Sequence, residues 1–157
     1  MEQFVRTKLL LGEQKIKKIF ESKVTVVGLG AVGSFAVEIL ARVGAGNLTL
    51  VDFDVVQESN INRQLYALHS TINTKKVELA KARVLDINPN CKVKTFDVFV
   101  NTDTLDTIFS ETPDIVIDAI DSYIRPCYRN LCRLRHGSVG RSAGRQKWEY
   151  PTYRCPF

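Results

Sequence analysis

The chain has 157 residues, 45% hydrophobic and 25% charged, with a formal net charge of +5. This is the size and make-up of one globular domain, not of a disordered or fibrous protein. No apolar run approaches the roughly 18 residues of a membrane span, and Leu9-Leu10-Leu11 is too short for a signal-peptide core. The four cysteines, at 91, 127, 132 and 155, have no metal-type spacing and suggest no secreted disulfide framework, so a cytoplasmic protein with reduced thiols and no membrane attachment is expected.

In chain order, a leading helix is expected over Gln14–Glu21. Val24–Val27 is a short apolar strand that runs into Gly28-Leu29-Gly30-Ala31-Val32-Gly33, glycines at G-x-G-x-x-G spacing. Gly28 permits a tight turn, Gly30 lets phosphate approach bare backbone, and Gly33 lets the following helix pack closely on the sheet. The phosphate then lies near the helix's positive N-terminus. Val32, Phe35, Ala36, Ile39, Leu40 and Val43 form the apolar stripe of that helix, with period near 3.6, and Gly44 and Gly46 end it. A second strand, Leu48–Val51, delivers Asp52 where a carboxylate can bond a ribose hydroxyl. Such a βαβ unit suits a nicotinamide dehydrogenase as well as an ATP user.

After the polar loop Ser59-Asn60-Ile61-Asn62-Arg63-Gln64, Thr74 can cap a helix running to about Asp86, which Asn88-Pro89-Asn90 breaks. Cys91–Phe96 alternates with period two and reads as a strand. A short helix around Thr104–Phe109 and a buried-type strand, Asp114–Asp118, follow. The expected fold class is α/β, a Rossmann-like parallel sheet with flanking helices and its site at the strand C-terminal ends.

The residues beyond Asp52 favour ATP. A diphosphate bridge can be held largely by backbone N–H groups, whereas a triphosphate about to be cleaved needs side-chain cations and usually magnesium. Arg63 can fork two phosphate oxygens, Lys76 can act as a point charge, and Asp121 can hold the metal. Neighbours at a helix N-terminus point about 100° apart, so only one of Lys75 and Lys76 can face phosphate. Asp54 and Glu58 read as a solvated loop pair, with a share in magnesium binding as the alternative. His69 reads as a core-edge or loop residue.

Gly28–Gly33, Val51-Asp52-Phe53-Asp54, Ser59-Asn60-x-x-Arg63-Gln64, Lys76 and Asp118-x-x-Asp121 resemble the ThiF/MoeB superfamily, the adenylating relatives of ubiquitin-activating enzymes, over roughly residues 4 to 124. The resemblance implies transfer of AMP from ATP to a carboxylate with release of pyrophosphate. It implies a nucleotide site of Gly28, Gly30, Ala31, Gly33, Asp52, Asn60, Arg63, Gln64 and Lys76, with magnesium on Asp121 and Lys75 left to solvent. It also implies a homodimer in which Arg6, in Arg6-Thr7-x-Leu9-Leu10-x-Gly12, reaches the partner's site. The catalytic set is then Arg63, Lys76, Asp121 and Arg6. Without the resemblance, Arg6 is an ordinary surface arginine near a terminus.

Within the superfamily, Arg6–Glu13 and Asn60–Ser70 look most like the tRNA threonylcarbamoyladenosine dehydratases. That implies activation of the threonine carboxylate of a modified adenosine in tRNA, followed by cyclisation. The alternative substrate is the C-terminal glycine of a small sulfur-carrier protein. An NAD-dependent dehydrogenase and a nucleotide-binding fragment without turnover are the other readings.

From Ser122 onward eight Lys and Arg accompany a single acid, Glu149, whereas the first 121 residues hold 14 basic and 16 acidic residues. The net positive charge comes wholly from this tail. Only scattered Ile124, Leu131, Leu134 and Val139 stand where the family continues with a helix and an apolar strand. The expected division is therefore 1–124, the N-terminal half of an adenylation domain, and 125–157, an aberrant basic tail without packed structure that arises from frameshift or truncation. An RNA-binding extension is the alternative for the tail. With its C-terminal half missing, the sheet should expose a hydrophobic edge.

Overall fold

A computed structural model describes residues 2–120. A 3-10 turn at Glu2–Phe4 leads into α1 (Val5–Leu11) and α2 (Glu13–Glu21). Then come β1 (Lys23–Val27), α3 (Ala31–Val43), β2 (Asn47–Val51), α4 (Lys76–Ile87), β3 (Lys92–Phe96), α5 (Thr102–Ile108) and β4 (Ile115–Asp118). The strands form one parallel sheet in the order β3-β2-β1-β4, with Val27 beside both Val51 and Asp118. The chain steps outward from β1 to β3 and returns through α5 to set β4 on the other side of β1. Strand order thus reverses between β1 and β4, where a doubly wound sheet opens a crevice at its C-terminal ends.

Alternation along the strands builds two apolar layers. Val24, Val26, Leu48 and Leu50 meet α3 and α4 through Val37, Ala41, Val77, Ala80 and Val84. Val27 and Val51 point the other way, to Leu105, Ile108 and Phe109. Both faces of β1 and β2 are covered, which is why these strands read as apolar runs. Buried Cys91 joins the first layer, and burial pushes its thiol up to about 11, so it packs as a small apolar group.

The expected α/β order holds, with four local corrections. First, α1 has no expected counterpart: Leu9 and Leu10 are 80% and 83% exposed, so no buried period marks it. Second, only part of the apolar stripe of α3 faces the core: Leu40 packs against it and Ala36 and Val43 are half-buried, but the rest of the stripe is exposed. Val32, Phe35 and Ile39 are 69%, 50% and 60% exposed, while Gly33, Ser34, Val37 and Ala41 face inward. Small residues win that side because the helix lies close against the β1 turn. Third, Lys75 rather than Thr74 is the N-cap of α4, since the Thr74 carbonyl accepts the Val56 N–H and joins a bridge to the 55–56 segment. Fourth, α5 starts earlier than Thr104, at Thr102, because the Asn101 carboxamide oxygen accepts the N–H groups of Asp103 and Thr104.

The strand expected to be buried at Asp114–Asp118 is not: β4 pairs only with β1 among the described residues, none of its residues is buried, and Ile115 is 54% exposed. No helix among the described residues is long and apolar enough to cross a membrane. Asp121, the 125–157 tail, Cys127, Cys132 and Cys155 lie outside the described residues.

Candidate functional site

The β1–α3 turn is shaped by two close approaches. Gly28 has φ +88°, and a Cβ on it would lie 2.7 Å from the Ala119 carbonyl oxygen beyond β4. A Cβ on Gly33 would lie 1.8 Å from the Gly28 carbonyl oxygen, so the first turn of α3 touches the loop that precedes it. Gly30 differs, because the nearest atom to its missing Cβ is Gln64 Nε2 at 3.8 Å. That open side belongs to a crevice of about 630 Å³, a size suited to a small-molecule ligand. Gly30 and Ala31 line it at the N-terminus of α3, where the first backbone N–H groups have no intrahelical acceptor.

Asp52 leaves the end of β2 and is 9% exposed. Its Oδ2 accepts the Leu29 N–H at 2.6 Å and its Oδ1 accepts the Asp54 N–H at 2.8 Å. The carboxylate ties the glycine turn to the segment after β2 and keeps a second lone pair on each oxygen. Asn60 braces the next loop by accepting the Gln57 N–H at 3.1 Å, and it lines the crevice with Gln64 and Arg63. Arg63 is exposed, and its Nη1 donates to the Ser59 carbonyl and to Asn62 Oδ1, both at 2.9 Å. The rest of its five-donor fork can still serve a ligand.

The two lysines diverge where the chain enters α4, Lys75 being the extended N-cap and Lys76 the first helical residue. The Lys76 side chain is 5% exposed, and its Nζ donates to Asp54 Oδ2 at 2.8 Å. Lys75 instead pairs with Asp97, both side chains being 44% exposed. Asp54 is therefore not half of a solvated loop pair: it lines the crevice and carries the counter-charge of a buried lysine. Glu58 is exposed on a 3-10 turn at Glu58–Asn60. The signal for Asp54 was its place two residues after Asp52, in the segment that leaves the C-terminal end of β2. An apolar wall also escaped the sequence reading: Phe53 and Phe99 meet edge to face with centroids 5.1 Å apart, next to Val98.

Gly28, Gly30, Ala31, Asp52, Asn60, Arg63, Gln64 and Lys76 are thus brought to one crevice, whereas Gly33 lies behind it. Arg6 is exposed on α1 and does not line this chain's own crevice, and exposed His69 sits outside it on a 3-10 turn. Among the described residues no cluster of three or more His, Cys, Asp or Glu could hold a metal, and Asp121 falls outside them.

A parallel sheet in Rossmann order, with a glycine turn, an acid after β2 and a buried lysine at its switch point, defines a nucleotide-binding α/β domain. The chain belongs to the ThiF family, which it matches over residues 4–138. It is 45% identical over 129 residues to the tRNA threonylcarbamoyladenosine dehydratase of Bacillus subtilis (strain 168), an overlap of 82% of this chain and 50% of that protein. It is 40% identical over 111 residues to the molybdopterin-synthase adenylyltransferase of Haemophilus influenzae, an overlap of 71% of this chain and 44% of that protein. Its fold matches a crystal structure of the E. coli tRNA N6-threonylcarbamoyladenosine dehydratase in complex with ATP, with TM-score 0.78 and 40% identity over 83% of this chain and 56% of that one. The chain spans about half the length of the curated relatives it matches.

Proposed function

We propose that the chain carries the ATP site of a carboxylate-adenylating enzyme whose substrate is the threonylcarbamoyl group of modified adenosine in tRNA. The supporting observation is the convergence of Arg63, Lys76, Asp52 and the first amides of α3 on one crevice. The similarity to a dehydratase solved with ATP adds to it.

Triphosphate and substrate carboxylate are both anionic, so their repulsion must be offset before attack on the α-phosphorus. Arg63 would fork phosphate oxygens, Lys76 would add a compact charge, and Gly30 and Ala31 would offer backbone N–H groups. Asp52 would accept ribose hydroxyls with its remaining lone pairs, while Asn60 and Gln64 shape the floor. Asp118 lines the crevice and Asp121 stands one residue beyond the described chain. Such oxygen donors suit magnesium, which when bound would neutralise phosphate charge. No general base is needed, since a carboxylate is already ionised at neutral pH.

A homodimer would add Arg6 from the second copy. The exposed face of Val32, Phe35 and Ile39 is the apolar surface that a second copy would cover. The proposed setting is the cytoplasm.

The test is ATP–pyrophosphate exchange by the chain with magnesium, using threonylcarbamoyladenosine-bearing tRNA and a sulfur-carrier protein ending in Gly-Gly. Exchange driven by the tRNA is expected. Exchange with the carrier alone supports the second reading, which the similarity to a molybdopterin-synthase adenylyltransferase favours. ATP binding without exchange would leave a nucleotide-binding fragment without turnover.

A further inference from the structure

Lys76 is the only buried lysine or arginine among the described residues. A buried ammonium is costly without a counter-charge, and Asp54 supplies one at 2.8 Å. Asp54 holds the start of α4 twice, because its carbonyl also accepts the Lys76 backbone N–H at 3.1 Å. It is itself fixed from the other side by Asp52, which accepts its N–H and, with the second oxygen, the Leu29 N–H. The residues that follow are clamped too, by the Val55–Lys75 bridge and by the Val56 N–H on the Thr74 carbonyl. A continuous hydrogen-bonded line thus runs from the glycine turn through Asp52 and Asp54 to Lys76 along one wall of the crevice.

We propose that Asp54 is the positioning residue for Lys76, holding its ammonium toward the crevice at a fixed distance from the glycine turn. The inference rests on reading Lys76 as a phosphate ligand. One of the three ammonium donors goes to Asp54, which leaves two for a ligand. Asp54 also brings a negative charge near the anion, but its side chain is 47% exposed against 5% for Lys76. Solvent screens that repulsion while the lysine's attraction acts from a buried position, so the positioning effect prevails.

The test uses the whole chain with Asp54→Asn, Asp54→Ser, Lys76→Met and the Asp54→Asn/Lys76→Met double variant. In ATP titrations each neutral Asp54 variant should bind about tenfold more weakly, the size of a lost charge-assisted contact, and the double variant no more weakly than Lys76→Met alone. Without nucleotide, acetic anhydride labelling read by mass spectrometry should rise at Lys76 in the Asp54 variants and stay constant at exposed Lys81. Asp54→Glu, which restores the charge, should return Lys76 labelling toward that of the wild type. Unchanged or tighter ATP binding in the Asp54 variants, a loss undiminished in the Lys76→Met background, or unchanged labelling would overturn the positioning role. If the wild-type chain binds no ATP, the phosphate reading of Lys76 fails and the labelling alone decides the role of Asp54.

Discussion

Gly33→Ala and Gly30→Ala should separate a glycine that the fold needs from one that the ligand needs. By helix propensity alone, alanine at Gly33 in α3 should stabilise by about 1 kcal/mol. The structure opposes this, since the added methyl would lie 1.8 Å from the Gly28 carbonyl oxygen and 3.3 Å from Ala119 Cβ. The obstacle at 1.8 Å is backbone, so α3 must retreat by about 1 Å and loosen Val37 and Ala41 from the sheet. Overpacking of this kind costs about 1–3 kcal/mol, and an immovable carbonyl puts it at the upper end, leaving a net loss of about 1–2 kcal/mol after propensity. Alanine at Gly30 meets nothing nearer than Gln64 Nε2 at 3.8 Å. Its stability cost is that of a poorer N-cap, under about 1 kcal/mol, but its methyl enters the space where phosphate would approach. Urea unfolding followed by circular dichroism, paired with ATP titration, gives both readouts. Gly33→Ala should lower the urea midpoint most, and Gly30→Ala should weaken ATP binding most relative to its effect on stability. Wild-type stability in Gly33→Ala, or undiminished ATP binding in Gly30→Ala, would refute the reasoning.

Three further outcomes are expected. Lys76→Met should weaken ATP binding by about 1.5–3 kcal/mol, while Lys75→Met, which breaks a half-exposed pair with Asp97, should change it by under about 1 kcal/mol; calorimetric titration distinguishes them. The Arg83 hydrogen bond, opposed by burial and aided by Arg42, holds the Glu38 carboxyl below the ordinary carboxylate range. A lowered folded value means stability that is present at neutral pH and lost as pH falls through that value, so Glu38→Gln should cost stability near neutrality and progressively less on acidification, measured by urea midpoints against pH. Ile39→Glu charges the exposed apolar face of α3 that the second copy of the proposed homodimer would cover, so it should shift sedimentation toward the monomer without lowering the monomer's urea midpoint, and a wild-type chain that sediments as a monomer refutes the dimer.

The β1–α3–β2 unit could be read from the sequence because each part has a local signature: an apolar run, glycines at fixed spacing and an acid at a strand end. The buried side of α3 could be read only in part, at Leu40. Periodicity selects Val32, Phe35 and Ile39, whereas close approach to the Gly28 carbonyl selects Gly33 and places Ala41 inward, and that constraint exists only after the strands have paired. The Asp54–Lys76 pair joins residues 22 positions apart through a bridge between loop segments, so no periodic pattern announces it. That Lys76 rather than Lys75 faces the crevice was readable from the family resemblance; the structure adds that Lys75 is the extended N-cap and Lys76 the first residue of α4. Phe53 and Phe99 belong to no repeating pattern and meet only once the segments that follow β2 and β3 are brought together.

The most direct measurement is a pair of calorimetric titrations of the whole chain, one with ATP and magnesium and one with NAD. A triphosphate site built from Lys76, Arg63 and the α3 amides predicts saturable ATP binding, lost in Lys76→Met, and markedly weaker NAD binding. Equal or tighter binding of NAD, or ATP binding indifferent to Lys76, would contradict it.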